Sequence, residues 1–228
     1  MCRNAAIAAA ALLIVGAPMA SFGSTWPDAP VPAHMHLTTV DNRIVFNGMD
    51  MRASVFESPQ HSDDIVAFYR RAWGDRVVVN KVGGQQVIGH REGDYFITVE
   101  VSDVGGGSKG KLGIVNLASA SHHVELGKGF AKPDGTKVFN DIAYPDDPVP
   151  ARTIAMGNEL SVDQNGQYFR EHLLAEGWKP ADDNRCTEAA CLLNYERGSS
   201  KLSLVIAPGS NVHSQIVLNV QDPQGVTP

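Results

Sequence analysis

The 228-residue sequence offers few of the groups from which an enzyme builds a reactive site. No His-Glu-x-x-His pattern is present to hold a catalytic metal, and the acidic pairs of the loops do not follow the EF-hand pattern for calcium. The glycine-rich stretch 105–111 lacks the serine or threonine that completes a phosphate-binding loop. It lies between two predicted strands, so a hairpin turn is predicted there. We therefore predict no catalytic residues, no bound metal, no cofactor and no enzymatic activity.

Basic clusters and long apolar runs are scarce as well. The formal net charge is −6, which argues against nucleic acid and anionic membrane surfaces as partners. Arg3, the apolar run 5–15 and the small residues after it are typical of a secretory signal peptide, predicted at 1–23 with cleavage after Gly23 or Ala20. That run is too short to span a bilayer, and no later stretch is long enough. We expect an exported protein, periplasmic or secreted, without a transmembrane segment in its mature chain.

Only three cysteines occur, and Cys2 lies within the predicted signal peptide. Cys186 and Cys191 remain, and an even count in an oxidising compartment predicts a disulfide between them. Their spacing differs from the C-x-x-C of redox motifs, and no second pair of ligands nearby suggests a zinc site. A disulfide that closes so short a loop contributes about 2 kcal/mol on the chain-entropy estimate.

Two amphipathic helix patterns are present, at 62–74 and 161–178. Apolar residues recur with helical spacing in both, and each contains an aromatic pair followed by arginine. The first helix is expected to be capped by Ser62, and the second by a capping box that begins at Ser161. Glycine inside a helix costs about 1 kcal/mol relative to alanine, so Gly166 is predicted to mark a close approach of the second helix to the sheet.

Strand patterns surround the two helices in the same order, which predicts one supersecondary unit used twice. Residues 137–141 match 44–48 almost position for position, and 217–220 match 114–117. The predicted fold class is α+β, with two tandem ββαβββ units, each an antiparallel sheet covered by one helix. The predicted divisions are a signal peptide at 1–23, an extended leader at 24–41, a first unit at 42–117, a linker at 118–135, a second unit at 136–222 and a tail at 223–228.

Two pairs of histidines are candidate metal ligands. His34 and His36 flank a methionine near the predicted new N-terminus and could hold copper or zinc, or they could be a polar start to the first strand. His122 and His123 lie in the predicted linker, where an exposed pair is more often without a ligand. With no third ligand assigned, metal binding by either pair stays open and no metal site is predicted.

The motif Phe-Tyr-Arg-Arg-Ala-Trp-Gly at 68–74, within paired βαβββ modules, resembles the glyoxalase-type vicinal oxygen chelate proteins. That resemblance implies a divalent metal held by His and Glu on the sheet. The candidate first strands, 51–56 and 152–156, contain neither residue type. His90 and Glu100 are available in the first unit, and the second has no histidine at matching strand positions.

A wider likeness covers most of the predicted mature chain. The stretches 47–51, 69–73, 151–154 and 177–178 resemble the turn, the helix, the second-half strand and the helix end of short exported proteobacterial proteins of uncharacterised function. Asp50 replaces a proline of that pattern. The resemblance implies an accessory protein of the cell envelope, associated with a pilus or secretion system.

These observations favour an exported, non-catalytic binding or assembly accessory of the bacterial cell envelope, whose partner is another envelope protein. Its working surface is expected to be an exposed sheet face, or an edge strand that accepts a partner by strand addition. The alternative is a metal-dependent enzyme or metal-binding protein of the glyoxalase-like class, which would use His90 and Glu100, or His34 and His36. A third possibility is a small-ligand carrier with a cleft between the two units.

Overall fold

A computed structural model describes residues 26–120 and 124–225 of the chain. The predicted signal peptide at 1–23 lies outside the described residues, as do His122 and His123. The main elements are thirteen strands and two helices. They are β1 (His36–Phe46), β2 (Met49–Ser58), α1 (Ser62–Trp73), β3 (Val77–Val82), β4 (Gln85–Glu92), β5 (Tyr95–Val104), β6 (Gly107–Asn116), β7 (Lys137–Tyr144), β8 (Ala151–Asn158), α2 (Val162–Ala175), β9 (Lys179–Pro180), β10 (Arg185–Cys186), β11 (Cys191–Arg197), β12 (Ser200–Pro208) and β13 (Ser214–Gln221).

All thirteen strands belong to one antiparallel sheet, so the predicted pair of ββαβββ units, each with its own helix-covered sheet, is wrong. Val45 and Phe46 of β1 pair with Ala143 and Ile142 of β7, and this junction makes the sheet continuous. Four strands, not three, follow α1 before the chain reaches β7. At the junction, β1 and β7 hydrogen-bond to each other, so neither strand leaves the backbone groups of that side unpaired. The fold is therefore mainly antiparallel β structure with two helices.

The strand order is the same on both sides of the junction. Outward from it, one side is ordered β1-β2-β6-β5-β4-β3 and the other β7-β8-β13-β12-β11-β10, with β9 paired to β11. Both local sequence matches fall on corresponding strands, β1 with β7 and β6 with β13, but the first match is offset along its strand. Asn47 and Gly48 form the turn between β1 and β2, whereas Asn140 and Asp141 lie inside β7. The match of 137–141 to 44–48 therefore compares residues at different places in the fold.

Both helices lie on the same face of the sheet. Residues directly opposite each other on neighbouring strands share a face, as do alternate residues along one strand. Val45 lies opposite both Ala143 and Asp50, and the same rule leads from Asp50 to Ile114 and from Ala143 to Ile154. Ile114 belongs to the core under α1, and Ile154 to the core under α2. We call this the covered face, and the opposite side the bare face.

The two helices begin in different ways. Ser161 and Gln164 form the predicted capping box at the start of α2, which confirms that prediction. The N-cap of α1 is His61, whose side chain makes no cap bond, so the prediction of a Ser62 cap is wrong. The backbone N–H of Ser62 instead donates to Asp103, at 2.7 Å. A carboxylate distant in sequence therefore satisfies the first turn of α1.

Candidate functional site: the open edge and the bare face of the sheet

The sheet ends at β3, and no strand in the described part of the chain pairs with its outer side. A two-residue turn at 83–84 joins β3 to β4, which makes Val82 and Gln85 a hydrogen-bonded pair. Because antiparallel pairing alternates along a strand, the N–H and C=O groups of Val79 and Lys81 point away from β4. This edge thus presents backbone donors and acceptors at regular spacing, which is what an added strand requires.

The side chains of β3 differ between the two faces. Val77 and Val79 are half-buried and pack against the core under α1. Val78 and Val82 point to the bare face, and each is 61 % exposed. Natural edge strands are usually protected by charges, proline or a covering segment, and β3 carries one charge, Lys81, beside its two exposed valines. The edge formed by β3, which we call the open edge, is therefore a candidate binding surface.

The opposite end of the sheet is covered. The short strands β9 and β10 both pair with β11, and the predicted disulfide joins Cys186 of β10 to Cys191 of β11. The disulfide prediction is confirmed. A Cβ atom added at Gly166 of α2 would lie 3.1 Å from the Cys191 sulfur, so the predicted close approach of this glycine to the sheet is confirmed too. One edge of the sheet is therefore covered by short, disulfide-linked strands, and the other is open in the described part of the chain.

The bare face carries exposed apolar side chains beyond the open edge. Leu192, Val205 and Val217 lie side by side on β11, β12 and β13, and each is more than a third exposed. On the other side of the junction, the ring of Phe96 lies over Gly89, where an added Cβ would come within 3.1 Å of it. These side chains give the bare face a partly apolar character.

A cleft of about 360 Å³ lies on the bare face across β1, β2, β6 and β5. Glu57 lies opposite Lys109, and Glu100 lies opposite Lys111, yet none of these four side chains makes an ion pair in the part of the chain that the structure describes. His36 lines the same cleft. Acids and bases therefore line the cleft together without neutralising one another by contact.

The residues of the metal-dependent alternative do not meet. His90 is buried on the covered face, where its ring stacks on Trp73 with the ring centroids 4.6 Å apart. Glu100 lies opposite Lys111 on the bare face, so the sheet separates it from His90. Within the described ranges, no group of three His, Cys, Asp or Glu side chains is placed to hold a metal ion. His34 is an exposed residue with a positive φ of 63°.

Sequence reasoning missed one serine motif. Residues 106–110 follow the Gly-x-Ser-x-Gly pattern of serine hydrolases, which works only at a turn from a strand into a helix. Here the pattern runs from a hairpin turn into β6, and Ser108 is 1 % exposed, with no hydrogen-bond partner for its hydroxyl among the described residues. This serine has neither the exposure nor the base that a nucleophile requires.

Ser62, Asp103 and His61 form a second cluster, which contains the residue types of a catalytic triad in a different spatial arrangement. The hydroxyl of Ser62 donates to Asp103 at 2.9 Å, and His61 Nδ1 lies 3.5 Å from the same carboxylate. In a triad the histidine stands between the serine and the acid, whereas here the acid stands in the middle. The hydrogen bonds from the backbone N–H and hydroxyl of Ser62 lower the pKa of Asp103. This cluster therefore holds the start of α1.

Comparison with protein-family models, with curated proteins and with solved structures finds no match to this chain. Among the residues that the structure describes, no helix has the length and apolar character needed to cross a membrane. The surface chemistry of the sheet is therefore the basis on which a function is proposed.

Proposed function

We propose that this protein is an exported, non-catalytic binding accessory of the bacterial cell envelope, and that it binds a partner protein by adding a partner strand to the open edge. The observation that carries the proposal is the contrast between the two edges. One edge is covered by two short strands and a disulfide, whereas no strand of the described chain pairs with the outer side of the six-residue β3, which carries exposed valines. Strand addition uses main-chain hydrogen bonds for affinity and alternate side chains for specificity.

The placement in the envelope, with a pilus or secretion system as the context, rests on the sequence. The signal-peptide pattern at 1–23 and the likeness to short exported proteobacterial proteins support it, and the disulfide is compatible with an oxidising compartment. Ser108 has no hydrogen-bond partner in the described part of the chain, and the sheet separates His90 from Glu100; both observations support a role without catalysis.

The test introduces proline at a backbone group that points outward. Lys81→Pro removes one outward N–H and leaves the bonds to β4 intact, because proline is tolerated on the free side of an edge strand. Lys81→Gln keeps that N–H and removes only the charge. A photo-crosslinking residue at Val82 is expected to capture a defined envelope protein in cells, and Lys81→Pro should abolish the crosslink.

The matched control places the same photo-crosslinking residue at Leu174, which is 54 % exposed on α2. Capture of the same protein from both positions, or a crosslink at Val82 that persists in the Lys81→Pro variant, would contradict strand addition at this edge. Circular dichroism of both variants shows whether the sheet is retained.

A further inference from the structure

The open edge is basic, although the protein as a whole is acidic. Residues 70–81 contain Arg70, Arg71, Arg76 and Lys81 with a single acid, Asp75, which gives this segment a net charge of +3 in a chain of net charge −6. The segment begins in the last turn of α1 and ends in β3. This basic segment borders the edge of the sheet that no strand of the described chain covers, although the acid Asp63 lies on the same side at the other end of α1.

Two of these cations, Arg70 and Lys81, lie on the covered side of the strand. Lys81 lies opposite Gln86 of β4, and the Gln86 amide donates to Asp63 of α1 at 2.7 Å. The flank of α1 that carries Asp63 therefore faces β4 and β3. Arg70 lies seven residues after Asp63, two helical turns further along the same flank. Arg70 and Lys81 consequently border the same side of the open edge.

Neither Arg70, Arg76 nor Lys81 makes an ion pair within the described ranges. Their charges are not neutralised by close contact with an acid of the described chain. The two valines of β3 on the bare face are likewise left exposed. An added strand would alternate between these two environments, with every second side chain beside the cations and the others beside Val78 and Val82.

We propose that the open edge binds an extended acidic segment of a partner protein, in which Asp or Glu alternates with β-branched apolar residues. This inference rests on the proposed function, because it names the chemistry of the strand that would be added. The carboxylates lie towards Arg70 and Lys81, and the apolar residues cover the exposed valines. Charge complementarity selects the partner, and backbone pairing supplies the binding itself.

The same charges disfavour a second copy of this chain as the occupant. Pairing β3 with β3 of another molecule would bring together two copies of Lys81 and of Arg76, which directly precedes the strand. Like charges that lie close across a strand pair are destabilising. An acidic strand would instead place opposite charges beside Arg70 and Lys81.

The experiment measures the binding of three labelled peptides to the full chain by fluorescence anisotropy. The first alternates Glu with Val over seven residues, the second has Lys in place of every Glu, and the third has the acidic sequence with a central proline. The acidic peptide is expected to bind about tenfold more tightly than the basic one at low salt. Raising the salt concentration should reduce that ratio, and the proline peptide should not bind.

Two variants separate the charge from the backbone. Arg70→Gln combined with Arg76→Gln and Lys81→Gln should weaken the acidic peptide about tenfold and leave the basic peptide unchanged or stronger. Lys81→Pro should abolish binding of both. Tryptophan fluorescence and circular dichroism identify any variant that has failed to fold.

The outcomes distinguish the two proposals. If no peptide binds the wild-type chain, strand addition at β3 is contradicted and the proposed function fails with it. If the basic peptide binds as tightly as the acidic one and both are lost in Lys81→Pro, the strand addition stands and only the acidic chemistry is overturned. A concentration-dependent dimer that Lys81→Pro dissociates would overturn the peptide occupant in favour of a second copy.

Discussion

At the scale of single residues, the most constrained group is a buried ion pair beside the junction of β1 and β7. Arg152 Nε and Nη2 donate to the two carboxylate oxygens of Asp141, both at 2.7 Å, and each side chain is less than 5 % exposed. Asp141 also accepts from the backbone N–H of Gly127, and Arg152 donates to the carbonyl of Lys128. The pair thereby fixes the segment that precedes β7 against the covered face.

Replacing Asp141 with asparagine should destabilise the protein by about 3–5 kcal/mol, because it leaves the Arg152 guanidinium buried without its counter-charge. Urea unfolding followed by circular dichroism measures this change. The control is Asp146→Asn, which removes an exposed acid 3.7 Å from Arg43 and should change the free energy of unfolding by less than about 1 kcal/mol. Equal losses in the two variants would contradict a special role for the buried pair.

The lowered pKa of Asp141 predicts that the stability of the protein depends on pH. Burial alone would raise the pKa of Asp141, but the hydrogen bonds from Arg152 and Gly127 outweigh it and the net pKa is lowered. A carboxyl whose folded pKa is depressed contributes stability above its unfolded pKa of about 4, and this contribution is lost as the pH falls through the lower folded pKa. Urea titrations between pH 2 and 6 should therefore show a steeper loss on acidification in the wild type than in Asp141→Asn. Parallel curves would contradict this assignment.

At the scale of elements, α2 is fitted to the disulfide through Gly166. Alanine normally improves a helix by about 1 kcal/mol relative to glycine, but here an added Cβ would lie 3.1 Å from the Cys191 sulfur. Nη2 of Arg170 lies 3.8 Å from the same sulfur, so the space around Gly166 and Cys191 is already occupied. Gly166 therefore allows α2 to pack closely against the covered edge of the sheet.

Replacing Gly166 with valine should lower the free energy of unfolding by about 1–3 kcal/mol, because the larger side chain forces α2 away from β11. The matched control is Gln167→Val, which places the same β-branched residue at an exposed position of the same helix and should cost only a few tenths of a kcal/mol. Thermal melts of the two variants provide the comparison. A Gly166→Val variant as stable as Gln167→Val would show that the approach to the sulfur is not restrictive.

At the scale of the whole molecule, the sheet has one covered and one open edge, and the disulfide maintains this difference. Replacing both Cys186 and Cys191 with serine should lower stability by about 2 kcal/mol on the chain-entropy estimate. It should also release β10, which pairs with β11 through only two residues. Hydrogen exchange at the outer side of β11 is then expected to accelerate, while exchange in β3 stays unchanged. Equal acceleration at both edges would indicate general unfolding.

The extent of the elements could be predicted because their causes are local. The helix patterns at 62–74 and 161–178 lie close to the observed α1 and α2, and the capping box depends on residues three positions apart. The cap of α1 could not be predicted, because Asp103 lies 41 residues away from Ser62. The pairing of the strands could not be predicted either, because a sequence pattern such as that at 137–141 indicates a strand but does not say which strands lie beside it.

The sequence by itself determined where the helices form and that Cys186 and Cys191 pair, because both depend on spacing along the chain. Only the tertiary structure decided that the strands form a single sheet, that His90 and Glu100 lie on opposite faces, and that β3 is left at an edge. Those features depend on which strands satisfy each other's backbone groups, and the contacts that decide it join residues far apart in the chain. The junction of β1 and β7 shows this most clearly, since two residues on each strand unite the whole sheet.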